Sequence, residues 1–460
     1  MINTPFRVCI SPKFKEEKKY VFDVLFHHFY KIDNYQLEIS DKYKEYEIHF
    51  NETRILVKDI FFKQIEGDTY LDEKYLPRDL SYVQSTEDRY KIPVLYGEST
   101  INKSNRHVEF SCDIIGTIFF FLSRWEEYIS SDLDKHGRFK GENSFAVKNN
   151  IFRVPVVDIY ADFLWRLFSD FTPTLKKDKT SVSLHPSHDI DFFVKWPNKL
   201  NYYKTQLGNL IKRSDKDLFL KDKKAYSVSN DDISKDPFFT YKLFMDDAES
   251  RNRQATFYFM VGGNTNYDNN YDINDENIAA LLSEIKLRGH RIGLHPGYNA
   301  STTSNQLKKE IEIFKNVCGV DQVMIRQHFL KINLIETINI WEDAGVQYDS
   351  SFYYNNHPGF RAGCSVAFPL FNVTKHKKTN ILEDSVSFMD TDLLGESPRI
   401  IKEVKEVYEA TKYVGTNFKF LWHNSSFYGR EWKPFHSVYS WMINDFDDDY
   451  LGNHNFLSGK

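Results

Sequence analysis

Apolar residues recur at helical spacing in several segments of this chain, and each such run in the C-terminal half ends at a glycine. In ENIAALLSEIKLRG, Ile278, Leu281, Leu282 and Ile285 share one face, and Gly289 stands where a left-handed residue closes a helix. NLIETINIWEDAG, stopped by Gly345, and IKEVKEVYEATKYVG predict two further helices. Between them lie short runs of strand character: SVSLHPSHDID, ATFYFMVGG, HRIGLH, VQYDSS and NFKFLWHN. Strands that alternate with helices predict a parallel sheet, either open and doubly wound or closed into a barrel. In both architectures chemistry gathers at the carboxyl ends of the strands. Here those ends carry Asp189 and Asp191, Gly262 and Gly263, His295, Arg326 and His328, Asp349, and His423.

Residues before about 176 follow another pattern. Short strand-like runs (YEIHF, RILVKDIFF) flank a strong helical segment from Asp113 to Ile129, where Ile114, Thr117, Ile118, Phe121, Leu122 and Trp125 recur at helical spacing. A second helix is predicted over Asp158 to Phe168. The polar stretch SDFTPTLKKDKTS predicts a boundary near 172–180. The expected organisation is a mixed α+β domain over 1–176, of unassigned role, and an α/β domain over 177–460. A lysine-rich, weakly periodic insertion at 196–236 follows the first strand of the second domain and could serve as a lid.

Length and composition narrow the classes. A chain of 460 residues exceeds what one hydrophobic core supports, so two domains are expected. Net charge is −5 with both signs well mixed, so nothing in the totals points to nucleic acid or an anionic membrane. Cys9, Cys112, Cys318 and Cys364 lie far apart with no CxxC spacing, which argues against a disulfide framework or thiolate zinc site and suits a reducing compartment. The most apolar run, Ile114 to Leu122, falls well short of the ~20 residues a membrane span needs, and reads as a buried helix. The opening residues contain no apolar stretch of signal-peptide length, so a cytoplasmic location is expected.

The candidate chemistry begins in LHPSHDIDFF. Residues two apart on a strand share a face, so Asp189 and Asp191 should point the same way. Two carboxylates that close need a cation between them, a metal ion or an arginine, unless the strand has already ended and both are solvated. In GHRIGLHPGYNAS, His295 falls just past a short strand at the same sheet end, while His290 should face the other way and be structural. Arg326, closing the apolar run before IRQHFLK continues, could pair with a carboxylate. Asp349 ends VQYD and opens a long loop with Gly, Pro, aromatics and Arg361. Such a loop suits a sugar-binding rim, to which Tyr298 is added. His423 leaves the last strand, where an imidazole can act as a general acid near neutral pH.

In this order the pieces resemble the polysaccharide deacetylases, the chitooligosaccharide-deacetylase homology domain of carbohydrate esterase family four. The resemblance rests on Ser187 to Asp191, on Ala255-Thr256-Phe257-Tyr258, on Gly289 to His295, and then on Arg326, Asp349 and His423; it covers roughly 180–430. Residues 1–176, through DIIGTIFFFLSRWEEY, DKHGRF and VPVVDIY, resemble the N-terminal region of a divergent bacterial branch. The resemblance implies a distorted, incomplete (β/α) barrel and metal-assisted hydrolysis of an N-acetyl group on a sugar or polysaccharide precursor. It implies a divalent metal, zinc first, held by Asp191 and His295. Asp189 would be the general base, Arg326 its partner, and His423 the acid that protonates the leaving amine, with Asp349 near enough to hold it charged.

Two positions depart from that pattern. Ile190 separates aspartates that are usually adjacent. Asn299 stands where a second metal-binding histidine is usual, and asparagine is a poor zinc ligand. His328 is the preferred third ligand and Asn299 the alternative. Two rivals follow: a metal-free C–N hydrolase on the same fold, and a carbohydrate-binding protein with a degenerate site.

Overall fold

The structure, a computed structural model, describes residues 6–67, 69–83, 90–172, 175, 182–268, 271–395 and 397–451. The expected boundary at 172–180 lies largely outside the described residues.

The N-terminal region is built on a six-stranded mixed sheet in the order Tyr35–Ile39, Phe6–Ile10, Tyr46–Phe50, Thr53–Val57, His107–Cys112, Gly97–Ser104. The helical segment expected from Asp113 to Ile129 is a helix over Ile114–Ser123 followed by a 3₁₀ turn, Trp125–Tyr128. Asp113 caps it by accepting from the Gly116 amide at 2.6 Å. Arg124, in the left-handed region at φ 54°, ends it. All ten residues of Ile114–Ser123 are buried. A helix that is apolar all round must be enclosed on every side. This one is sandwiched between helices Lys15–Asp23 and Val156–Phe171 of its own region and the strand Phe368–Asn372 of the C-terminal region. Each large apolar side chain so enclosed contributes about 1.5–3 kcal/mol.

The C-terminal region is built on a nine-stranded sheet. Its order is Phe368–Asn372, Lys377–Glu383, Tyr348–Asp349, Met324–Ile325, Arg291–Leu294, Thr256–Phe259, Ser183–Ile190, Asn417–Leu421, Phe388–Met389. Every neighbouring pair is parallel except the first, an antiparallel hairpin. Leaving out Phe368–Asn372, the spatial order is the chain order of an eight-stranded barrel, opened between Lys377–Glu383 and Phe388–Met389. The fold is therefore α/β with a curled, incomplete barrel sheet. Sequence patterning predicted a long loop after Asp349; the hairpin and the strand Phe388–Met389 lie in and beyond that stretch. The insertion at 196–236 forms two helices, Lys199–Ile211 and Lys216–Ser229.

The two regions are tightly joined. The Tyr20 hydroxyl donates to the Pro369 carbonyl at 2.8 Å, the Val157 amide to Gly363 O at 2.8 Å, and the Phe360 amide to Phe152 O at 2.7 Å. No helix among the described residues is long and apolar enough to cross a membrane.

Candidate functional site

Parallel register lines up the strand ends. Ile190 is level with Phe259, Phe259 with Leu294, Leu294 with Ile325, and Ile325 with Asp349. The ladder then runs one residue further: His295 N–H donates to Phe259 O at 2.8 Å and Arg326 N–H to Leu294 O at 3.0 Å. Asp191, His295, Arg326 and Asp390 are each the first residue after a strand, and His423 is the second. The strand ends thus bring Asp189, Asp191, His295, Arg326 and His423 to one place, with His328 from the turn after Arg326.

Asp189 and Asp191 divide their partners. Asp189, buried on the strand, accepts from Arg326 Nη1 at 3.0 Å. The guanidinium is fixed in turn by Ser187 Oγ (2.9 Å), Ser350 O (3.0 Å) and Ser350 Oγ (3.0 Å), and lies 4.3 Å over the Tyr258 ring. Gly293 makes room for that ring: a Cβ there would come within 2.5 Å of it. Asp191 sits just past the strand and faces imidazoles instead. Its Oδ1 lies 3.3 Å from His295 Nε2 and 3.6 Å from His328 Nε2, and its Oδ2 3.8 Å from His423 Nε2. Burial pushes the Asp191 carboxyl up, but the three imidazoles outweigh it and hold it well below the usual range. Burial lowers His295, yet Asp189 and Asp191 together raise it.

Asp191, His295 and His328 offer one carboxylate oxygen and two imidazole nitrogens within 4.8 Å of one another. Asp191 Oδ1 is buried and has no hydrogen-bond partner. His295 is oriented from behind, its Nδ1 2.5 Å from the Arg326 carbonyl. His328 Nδ1 lies 3.6 Å from Asp268 Oδ1, an ion-pair contact without a hydrogen bond. A donor bond from His295 Nδ1 to that carbonyl leaves Nε2 with the free electron pair, the arrangement of metal-binding histidines. The donor set and the orphaned oxygen fit a borderline divalent ion. The Asn299 amide nitrogen donates to Asn264 Oδ1 at 3.3 Å. Asn299→Ala is expected to leave zinc uptake unchanged by elemental analysis, whereas His328→Ala should lower it tenfold or more.

Two expectations are corrected. Asp349 does not stand beside His423. It is buried, accepts from the Ser351 hydroxyl at 2.6 Å and amide at 2.9 Å, and faces Glu383, so burial raises both carboxyls. Asp390 takes the expected place: its Oδ1 lies 2.7 Å from His423 Nδ1, and its Oδ2 accepts the His423 amide at 2.8 Å. Burial opposes the charge on His423, but Asp390 first, then Asp191 and Asp189, push it up to about 10. Arg361 is not on a rim. It is buried in a two-point ion pair with Glu127, at 2.6 and 3.0 Å. Tyr298 is half-buried, its hydroxyl 2.9 Å from His136 Nδ1, within a group of rings that includes Tyr267 and Phe329. The N-terminal region therefore reaches the edge of the site through His136 and through Arg138, which donates to Phe329 O at 2.6 Å. His290 is structural: its Nδ1 accepts from the Ala255 amide at 3.1 Å. His188 is stacked on Phe244 at 3.6 Å, and burial lowers it to about 3.

Asp390 and Asp268 were invisible to sequence reasoning. Asp390 follows a two-residue strand in SVSFMDTD, too short to show a period. Asp268 lies in NTNYD, a loop whose polar residues look like any turn.

Residues 8–173 match a family of unknown function, DUF7033. No curated protein matches the sequence. Among solved structures, one described as "putative polysaccharide deacetylase from Mycobacterium smegmatis" is similar at 13% identity, over 60% of this chain and 87% of that one, with a TM-score of 0.35. A likeness so loose leaves the chemistry to be argued from the residues of this chain.

Proposed function

We propose that this protein is a metal-dependent hydrolase of the polysaccharide-deacetylase type, removing an N-acetyl or similar acyl group from a sugar or polysaccharide precursor. One observation carries the reading. At a single sheet end a carboxylate tied to arginine, a carboxylate faced by two histidines, and a histidine backed by its own aspartate come together. Asp191, His295 and His328 would hold the ion, zinc being the first candidate. When bound, such an ion polarises an amide carbonyl and makes water more acidic. Asp189, kept in place by Arg326, takes the proton from the water that attacks the acyl carbon. His423 gives its proton to the departing nitrogen as the C–N bond breaks, so the products are a free carboxylate and an amine. Asp390 holds His423 in one orientation and charged. Tyr298 and its neighbouring rings offer a face for a sugar.

The test is acyl release from N-acetylated chito-oligosaccharides by the zinc-loaded protein. Acetate should appear and should vanish with chelator. Activity that survives chelation with an empty site would favour the metal-free hydrolase. Binding of sugar without release would favour the degenerate binder.

Asp390→Asn tests the acid. With the carboxylate gone, His423 loses the largest influence that raises it, so it deprotonates at lower pH. A general acid works only while protonated, so the basic limb of the kcat/KM profile should move to lower pH than in the unaltered protein. An unmoved limb would remove His423 from that role.

A further inference from the structure

The insertion helix Lys199–Ile211 is inside out. Its buried residues are Tyr202, Gln206 and Asn209. Asn209 Nδ2 donates to Asp222 of the second helix at 2.8 Å, and Gln206 Nε2 to the Tyr202 hydroxyl at 2.9 Å. The apolar residues point the other way: Leu200, Tyr203, Leu207, Leu210 and Ile211 are 61%, 65%, 59%, 44% and 69% exposed. At 3.6 residues per turn these five fall within an arc of about 100°, whose centre is about 120° around the helix from that of Tyr202, Gln206 and Asn209. Folding alone does not place a helix this way, because it hides polar groups at a cost and leaves the apolar stripe in water.

The charge around the stripe says what could cover it. Lys199 and Lys204 flank it along the helix. Residues 195–224 carry nine Lys and Arg against three Asp, on a chain whose net charge is −5. The three acids are already paired: Asp222 with Lys195 at 2.6 Å, and Asp215 and Asp217 with Arg430 at 3.2 and 2.9 Å. A second copy docked by the same face would bring the two lysine rims together. An anionic lipid surface meets both features at once, accepting apolar side chains below its headgroups and lysines among them.

We propose that the Lys199–Ile211 face docks on an anionic lipid bilayer. A cleft of about 290 Å³ lies between this helix and the end of the first barrel strand, lined by Phe192, Lys195, Asn201, Lys204 and Tyr271. Docking would set that cleft, whose lining begins at Phe192, the residue after Asp191, close to the lipid surface.

The experiment sediments the full-length protein with vesicles of phosphatidylcholine alone and of equimolar phosphatidylcholine and phosphatidylglycerol. The protein should bind the mixed vesicles about tenfold or more tightly than the neutral ones, and less at high salt. Leu207→Glu with Ile211→Glu should lower that binding about tenfold or more. Lys199→Glu with Lys204→Glu should weaken it as well. All four positions are at the surface, and unchanged melting temperatures would show that both variants are folded. No binding to the mixed vesicles overturns the proposal, as does binding that both variants retain. A concentration-dependent dimer that Leu207→Glu with Ile211→Glu dissociates would also overturn it, assigning the stripe to a second copy. No hydrolysis enters the readout, so failure here leaves the proposed activity standing.

Discussion

Asp189→Asn is expected to lower turnover by roughly 10²–10⁴-fold, the usual contribution of a positioned proton acceptor, while zinc content stays near that of the unaltered protein. Its neighbour should behave in the opposite way. Asp191→Asn should lose zinc, and excess ion should restore part of its activity. The division follows from who faces whom. Asp189 Oδ1 is 3.0 Å from Arg326 Nη1, so the guanidinium already supplies its countercharge. Asp191 has no cationic side chain of that permanence, only three imidazole nitrogens at 3.3 to 3.8 Å. An oxygen buried among histidines with no hydrogen-bond partner is the one that lacks something when the ion is absent. Asp189 Oδ2 is also 3.7 Å from His295 Nε2, so the two carboxylates share a boundary. The paired measurement decides: equal loss of zinc in both variants would make both residues ligands and remove the base assignment. Unchanged turnover in both would detach this cluster from catalysis.

Much of the site was legible because strand ends are legible. Asp191, His295 and Arg326 each follow a recognisable apolar run, and parallel register brings such positions level without further information. What composition and period cannot convey is the partner of each group. Asp349 sits at a strand end as expected, yet Glu383 and Ser351 claim it, and the aspartate beside His423 comes from Phe388–Met389, a strand two residues long. Arg361 looked like a rim residue because its loop is rich in Gly and aromatics. Its burial depends on Glu127, which is 234 positions away and in the other region. The lysine-rich character of 196–236 was legible in the sequence, but which side of Lys199–Ile211 faces solvent was not, because that depends on what its polar residues meet in the folded chain.

The correction to Arg361 carries the second large effect. Arg361→Met is expected to cost about 3–5 kcal/mol of stability, the price of breaking a buried ion pair. Glu127 is 3% exposed and receives both Arg361 and Arg124, whose Nε lies 2.9 Å from its Oε1. Burial alone would push the Glu127 carboxyl up, but the two guanidinium groups outweigh it and hold it below the ordinary glutamate range. A carboxyl lowered by folding stabilises the native state above its unfolded pKa and loses that contribution as pH falls through its folded pKa. The gap in melting temperature between the unaltered protein and Arg361→Met should therefore be widest near neutral pH and shrink as the solution is acidified. The same pair joins the turn Trp125–Tyr128 of the N-terminal region to the loop after Asp349, so the loss should appear as weaker joining of the two regions. For the folded fraction at permissive temperature, KM for an N-acetylated oligosaccharide should remain close to that of the unaltered protein. A raised KM with an unchanged melting temperature would return Arg361 to the substrate rim.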